Sequence, residues 1–365
     1  MPNQVSAVDS ISPAFTRTKR MLFQPFRFGL WARMAVVSLV TGEIGGGGGG
    51  SLGNFNANRS GGNRWLSTVY FFSEAGWEQI QPYLFWIGLA AMAALGLLLL
   101  WIYSDCVYRF ILLDSVISGQ CRLREGWRRW REAGRRYLLW AVAFGFGALA
   151  FLAVIIGVPG LLAFHAGWFE KPDQHLWGLV GGGLLLFFLV IAVVAGLAVI
   201  DLFARDFLVP VMAFEEVGAL EGWQKLLGIM GAEKGAYALY VLMKIVLSFG
   251  SAIIFTIVNL IVILILLIPL AVLGVAGFFL GRTAGVTWDD PTILLVAGLG
   301  MLALAGVLYV IGFVYSPGLV FFQSYTLEFF APRYEPLARR LSVPVLPMAP
   351  PPPVALWPPP QPASS

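Results

Sequence analysis

From residue 236 to residue 280 the chain runs for 45 residues with one charged side chain, Lys244. A bilayer's hydrocarbon core is about 30 Å thick and takes roughly 20 apolar residues in a helix. Four further runs of spanning length lie at 82–104, 137–164, 177–200 and 293–315. A weaker one, 28–44, is interrupted by Arg33. Of all residues, 58% are hydrophobic and 12% charged, against about 25% charged in soluble domains. In lipid every backbone polar group must be bonded within the protein. The expected fold class is therefore all-α, a polytopic membrane helix bundle with interfacial amphipathic helices between its spans, the basic stretch around Trp127 among them.

The connections alternate in charge. Basic residues crowd the N-terminal segment (Arg17, Lys19, Arg20, Arg27), the 119–136 connection (seven arginines), the 201–235 connection (Arg205, Lys225, Lys234) and the C-terminal side (Arg333, Arg339, Arg340). Between them, 45–81 has two arginines, 165–176 has Lys171 and 281–292 has Arg282. Cytoplasmic loops carry the excess of Lys and Arg. This predicts six spans in the inner cell membrane, with both termini cytoplasmic. A basic segment 1–27 would precede a membrane domain at 28–340. The 28–44 run has no small-x-small cleavage site and is expected to remain as a span. The loop 45–64 is rich in glycine, and a proline-rich tail at 341–365 favours polyproline II. That tail is a candidate surface for a protein partner. No motif for nucleic acid accompanies the arginines.

The alternation also constrains the 45-residue run, which must cross an odd number of times. Three crossings need about 60 residues. The expectation is one crossing at 236–262 and a re-entrant or interfacial piece at 263–281, broken at Pro269 and Gly274.

One stretch is written twice. DCVYRFILLDSVISGQCRLREGW starts at Asp105, and DLFARDFLVPVMAFEEVGALEGW starts 96 residues later at Asp201. Six of 23 paired positions are identical, including Asp-x-x-x-Arg at the start and Glu-Gly-Trp at the end. Each copy follows an inward span and leads to an outward one. The expected unit is a helical hairpin in parallel repeat. The runs 28–44 and 293–315 would form a third hairpin, split between the chain ends.

Asp-x-x-x-Arg puts opposite charges one turn apart on a helix. Asp105, Arg109, Asp114, Asp201, Arg205 and Asp206 are candidates for a charged ring beneath the bundle. Arg124, Trp127, Arg128, Arg129, Trp130 and Arg131 read as an amphipathic strip for anionic lipid headgroups. Within the long run, Lys244 is expected to snorkel. Asn259 must find a partner, either another helix or a solute path.

The stretch RDFLVPVMAFEEVGALEGWQKLL resembles a group of bacterial six-helix membrane proteins of unknown function. That group is similar to the membrane domain fused to some glycerophosphodiester phosphodiesterases. The likeness rests on Phe207, Pro210, Glu215 or Glu216, and Gly222-Trp223. It implies architecture alone, since nothing matches the metal-binding set of the phosphodiesterase.

No catalytic motif is present. His165, Glu170, Asp173 and His175 share one short loop, but their spacing fits no compact zinc site, and no cofactor is implied. Cys106 and Cys121, in a cytoplasmic connection, are expected to be unpaired. The reading is a non-enzymatic protein that organises lipids or a complex. The alternative is a permease for a small solute or lipid.

Overall fold

The computed structural model describes residues 6–42, 84–168, 175–283, 285 and 289–342. Among the described residues there are helices and turns but no strand. In chain order they are α1 (Ile11–Phe23), α2 (Phe28–Val40), α3 (Leu84–Ser118), α4 (Leu123–His165) and α5 (Leu176–Phe203). A π turn (Ala204–Leu208) leads into α6 (Val209–Glu215), followed by α7 (Ala219–Ala232) and α8 (Lys234–Thr283). Then come α9 (Asp290–Phe330), a 3-10 turn (Ala331–Arg333) and α10 (Glu335–Ser342). Five helical stretches are long and apolar enough to cross a membrane: α3, α4, α5 through α6, α8 and α9. These make the chain a membrane protein. By contrast α2 has 13 residues and measures about 20 Å, short of a full core. The remainder of that expected span, like the glycine-rich loop and the proline-rich tail, lies outside the described residues.

The packed core sits at one end. In the most apolar stretches of α3, α4, α5 and α9 no residue is buried, and in α8 6% are. Buried side chains come from α1, α2, the last turns of α3, the first turns of α4, the π turn with α6, the start of α8 and the end of α9. This end is called the collar. Its position follows from the solvent each segment meets. Lipid tails solvate Leu and Ile as well as another helix does, so apolar faces there gain little from pairing. Segments that mix aromatic, polar and charged residues must bury and bond them together.

At the collar's centre Phe207 meets Tyr237, Tyr240, Phe329 and Phe330, with ring centroids 5.0 to 6.0 Å apart. Helix α2 lies along α9. Trp31 packs on Phe313, and the Tyr309 hydroxyl donates to the Ala32 carbonyl at 3.3 Å. Gly312 permits the approach, because a Cβ there would stand 2.8 Å from the Ala35 carbonyl oxygen. The first and last runs are therefore neighbours, as a split hairpin requires. Arg33, which interrupts the first run, donates to the Cys121 carbonyl at 2.8 Å. It ties α2 to the turn between α3 and α4.

Two expectations need correction. Helix α8 runs unbroken for 50 residues through Pro269 and Gly274. A proline removes one helical bond, which long apolar helices tolerate when the flanking bonds hold, so no chain reversal forms at 263–281. The arginine strip is also no separate interfacial helix. It forms the first turns of α4, which continues without interruption through the span. Nothing between Leu123 and Tyr137 breaks the helix, because Gly126 and Gly134 are spent on packing. A Cβ on Gly134 would stand 2.6 Å from Val107 Cγ2 and 3.1 Å from its Cα.

Gly134→Ala is thus expected to lower stability by roughly 1–3 kcal/mol, as overpacking does, in thermal unfolding of the detergent-solubilised protein. Gly231→Ala, whose Cβ would meet nothing within 4 Å, should cost nothing in the same assay. Cys106 and Cys121 are free and buried. Burial pushes the Cys121 thiol up, against the pull of the Arg33 guanidinium. Because the thiolate is the reactive form, neither cysteine should label with maleimide until the protein is denatured.

Candidate functional site

Pro210 has no N–H to give the carbonyl four residues back, at Asp206. The chain answers with the π turn, in which the Val209 N–H reaches the Ala204 carbonyl. Such single π turns add one residue to a helix and recur at functional positions. Here the turn carries Asp206, which is buried.

Two side chains of α8, one turn apart, converge on this carboxylate. The Tyr240 hydroxyl donates to Asp206 Oδ2 at 2.8 Å, and the Lys244 ammonium forms an ion pair with the same oxygen. Thr326 Oγ1 of α9 lies 2.8 Å from the Tyr240 hydroxyl. Tyr325 stacks on Tyr240 with planes 7° apart. Lys244 retains 4% of its exposure. It therefore does not snorkel, because a carboxylate within reach holds it inside. The cluster joins α5, α8 and α9, and it is the most enclosed charge pair among the described residues. Sequence reasoning placed Asp206 in a charged ring and missed this partner, 38 positions away. The signal available was that both ends of the pair were charges stranded in apolar sequence.

The two Asp-x-x-x-Arg motifs close on themselves. Arg109 is buried and grips Asp105 with contacts of 2.9 and 3.0 Å. Arg205 meets Asp201 at 2.5 Å. The pairs approach each other across the buried Tyr137, which feels the charges of Arg109, Arg205 and Asp201. Asp114 is outside this group, on the surface 3.9 Å from Arg129. Asp206 likewise takes its own partners, so the six expected ring residues fall into four ion pairs.

Both copies of the repeated stretch bend alike. The first helix ends at Ser118, with Gly119 left-handed. The second ends at Glu215, with Glu216 left-handed. Each then restarts at matched positions, Leu123 and Ala219. The glycine of Glu-Gly-Trp packs back on the preceding helix, Gly126 on Ile111 and Gly222 on Leu208. The second helix runs one residue further before its bend, the length that a π turn adds. The motif's Glu215 accepts from the Tyr334 hydroxyl at 2.8 Å and pairs with Lys225.

On α4 the strip divides by face. Trp130 is buried and stacks on Phe110, while Trp127 packs between Tyr103 and Tyr108. Trp130 thus belongs to the collar's core, and Trp127, half-buried, packs against it. The spacing of Gly126, Trp130, Gly134 and Tyr137, one helical face, was the signal for that. Arg129 lies over the Trp130 ring. Arg124, Arg128 and Arg131 are exposed, at spacings of four and three that align them on the opposite face.

Asn259 is buried between α8 and α9. Its amide donates to the Phe255 carbonyl at 2.9 Å, and the Tyr315 hydroxyl lies beside it. Phe255 itself packs on Tyr315. Among the described residues no three His, Cys, Asp or Glu side chains gather as metal ligands.

Cutting either partner of the Asp206–Lys244 pair strands a buried charge, at a typical cost of about 3–5 kcal/mol. Asp206→Asn and Lys244→Met should each destabilise strongly. The double Asp206→Leu/Lys244→Met should recover most of the loss, as read by a double-mutant cycle on thermal unfolding.

The chain was compared with families, curated proteins and solved structures. No curated protein and no solved structure matches it. A family model described as a family of unknown function, DUF7544, matches residues 5–339. With that span of its 365 residues matched, the chain belongs to the DUF7544 family.

Proposed function

We propose that the protein is a six-span, non-enzymatic protein of the inner cell membrane that gathers anionic lipids, and a partner complex, at its cytoplasmic collar. The observation that carries this reading is the arginine stripe on α4. Arg124, Arg128 and Arg131 share one exposed face, next to helices of membrane-crossing length. Basic clusters beside a span draw anionic headgroups by about 1 kcal/mol per residue.

The stripe begins at Arg131, about 9 Å along α4 from Tyr137, where the apolar run begins, and ends at Arg124, about 20 Å from it. That exceeds the Debye length of about 8 Å in physiological salt. Arg131 stands at the lipid end, and Arg124 is presented to an acidic protein surface. Both termini lie on the cytoplasmic side in this reading, and the proline-rich tail offers a second contact for the partner. The architecture is three hairpins around the collar: α3 with α4, α5 with α8, and α9 with α2 as the split one. The left-handed bends and back-packed glycines of the first two support a parallel repeat. Kinship with the membrane domain of glycerophosphodiester phosphodiesterases belongs to the same proposal.

A permease is the second reading, favoured by the enclosed Asp206–Lys244 pair between spans. Asn259 adds to it: its amide donates to the Phe255 carbonyl of its own helix, and its buried Oδ1 has no partner among the described residues. Solute uptake by proteoliposomes that is lost in Asp206→Leu/Lys244→Met would support it.

The primary test is lipid enrichment around the protein in nanodiscs of mixed phosphatidylglycerol and phosphatidylcholine, read by energy transfer from labelled lipid. Wild type should enrich the anionic lipid. Arg124→Gln/Arg128→Gln/Arg131→Gln should remove most of that enrichment, as should high salt. Equal enrichment in wild type and variant would overturn the reading.

A further inference from the structure

At the collar's edge α5, α7 and α8 enclose a cleft of about 510 Å³. This is within the range of about 300–1,000 Å³ typical of sites that hold small molecules. Its walls are Phe203 of α5, Leu227 and Met230 of α7, and Tyr237 and Val241 of α8. It differs from an interhelical gap in having two unlike ends. At one end Val199 and Val241 continue into apolar flanks, where Leu242 and Ile245 are exposed. At the other, Gly231 and Lys234 mark the junction of α7 and α8.

Charge distinguishes that junction. Lys234 is exposed and opens the 50-residue α8, and its ammonium favours an anion there. The neighbouring Glu233 does not cancel it, because Glu233 pairs with Arg333 at 2.8 Å. Tyr237 closes the wall from the collar's side: it is buried, with its ring against Phe203 and Phe207.

We infer that this cleft is a binding site for one anionic glycerophospholipid, its acyl chain between α5 and α8 and its phosphate at Lys234. The match is of order as well as kind. Apolar wall and cation follow one another from span to junction, as chain and phosphate do in the lipid. A zwitterionic lipid would fill the same wall but gain less from Lys234. A second copy of the chain would leave the cation without a reason.

The inference rests on the reading of the collar as the interfacial face, and its test separates the two. The full-length protein is purified in mild detergent and equilibrated with equimolar phosphatidylglycerol and phosphatidylcholine of the same chains. Retained lipid is then counted by native mass spectrometry. Wild type should keep one phosphatidylglycerol in preference to phosphatidylcholine. Lys234→Gln should reduce that preference about fivefold, the effect of one charge near the surface. Gly231→Phe, which projects a ring where a Cβ meets nothing, should abolish retention of either lipid while thermal unfolding stays as in wild type. The triple arginine variant on α4 should leave the retained lipid in place. Loss of the lipid in that variant alone would overturn the cleft site and leave the stripe standing. No retained lipid in wild type, equal retention of the two lipids, or retention unchanged by both cleft variants would each overturn it. So would a dimer that forms as lipid leaves.

Discussion

A carboxylate and an ammonium removed from water must hold each other. The pair formed by Asp206 and Lys244 governs how the collar is assembled for that reason. Asp206 is carried inward by a turn that exists because Pro210 cannot donate a helical bond. Lys244 comes from a different helix, and Tyr240 and Thr326 bring in a third. None of these helices can shift along another without separating charges in a poorly solvated interior. Packing of Phe207, Phe329 and Phe330 is tight around the pair, but aromatic contacts alone tolerate sliding. The ion pair supplies the register.

The same logic separates the collar's other charges by role. Asp105 with Arg109 and Asp201 with Arg205 are neutralised within a single helical turn. Their partners were fixed as soon as each helix formed. Arg17 with Glu328 and Arg333 with Glu233 join segments distant in sequence. They close the first and last parts of the chain onto the collar. The arginines on the outer face of α4 lack such commitments within the described residues, which leaves them available to something outside the chain.

Much of this was legible in the sequence, for reasons that differ by element. Five spans could be read because hydrophobic length is a one-dimensional property. The Asp-x-x-x-Arg pairs could be read because four residues is one helical turn. The Asp206–Lys244 pair could not, since no local spacing encodes a contact between separate helices. The inward packing of Trp127 and Trp130 could not be read from composition. Their neighbours Gly126 and Gly134 mark a packed face, which composition cannot report. Pro269 misled in another way: the penalty of a proline depends on the solvent, and a long apolar helix keeps its remaining bonds.

Because the helices are joined at the collar and little buried beyond it, the molecule resembles a set of rods fixed at one end. Away from the contacts of α2 with α9, and of α8 with α9 around Phe255 and Tyr315, each rod is free to change its inclination without unpacking a core. Transmembrane helices meet bilayers of different thickness by tilting, at a cost of fractions of a kcal/mol per Å of mismatch. A bundle packed along its whole length must tilt as one body. Here the apolar lengths outside those contacts can answer the local thickness separately, so the protein can sit in bilayers of uneven thickness while its collar keeps one shape.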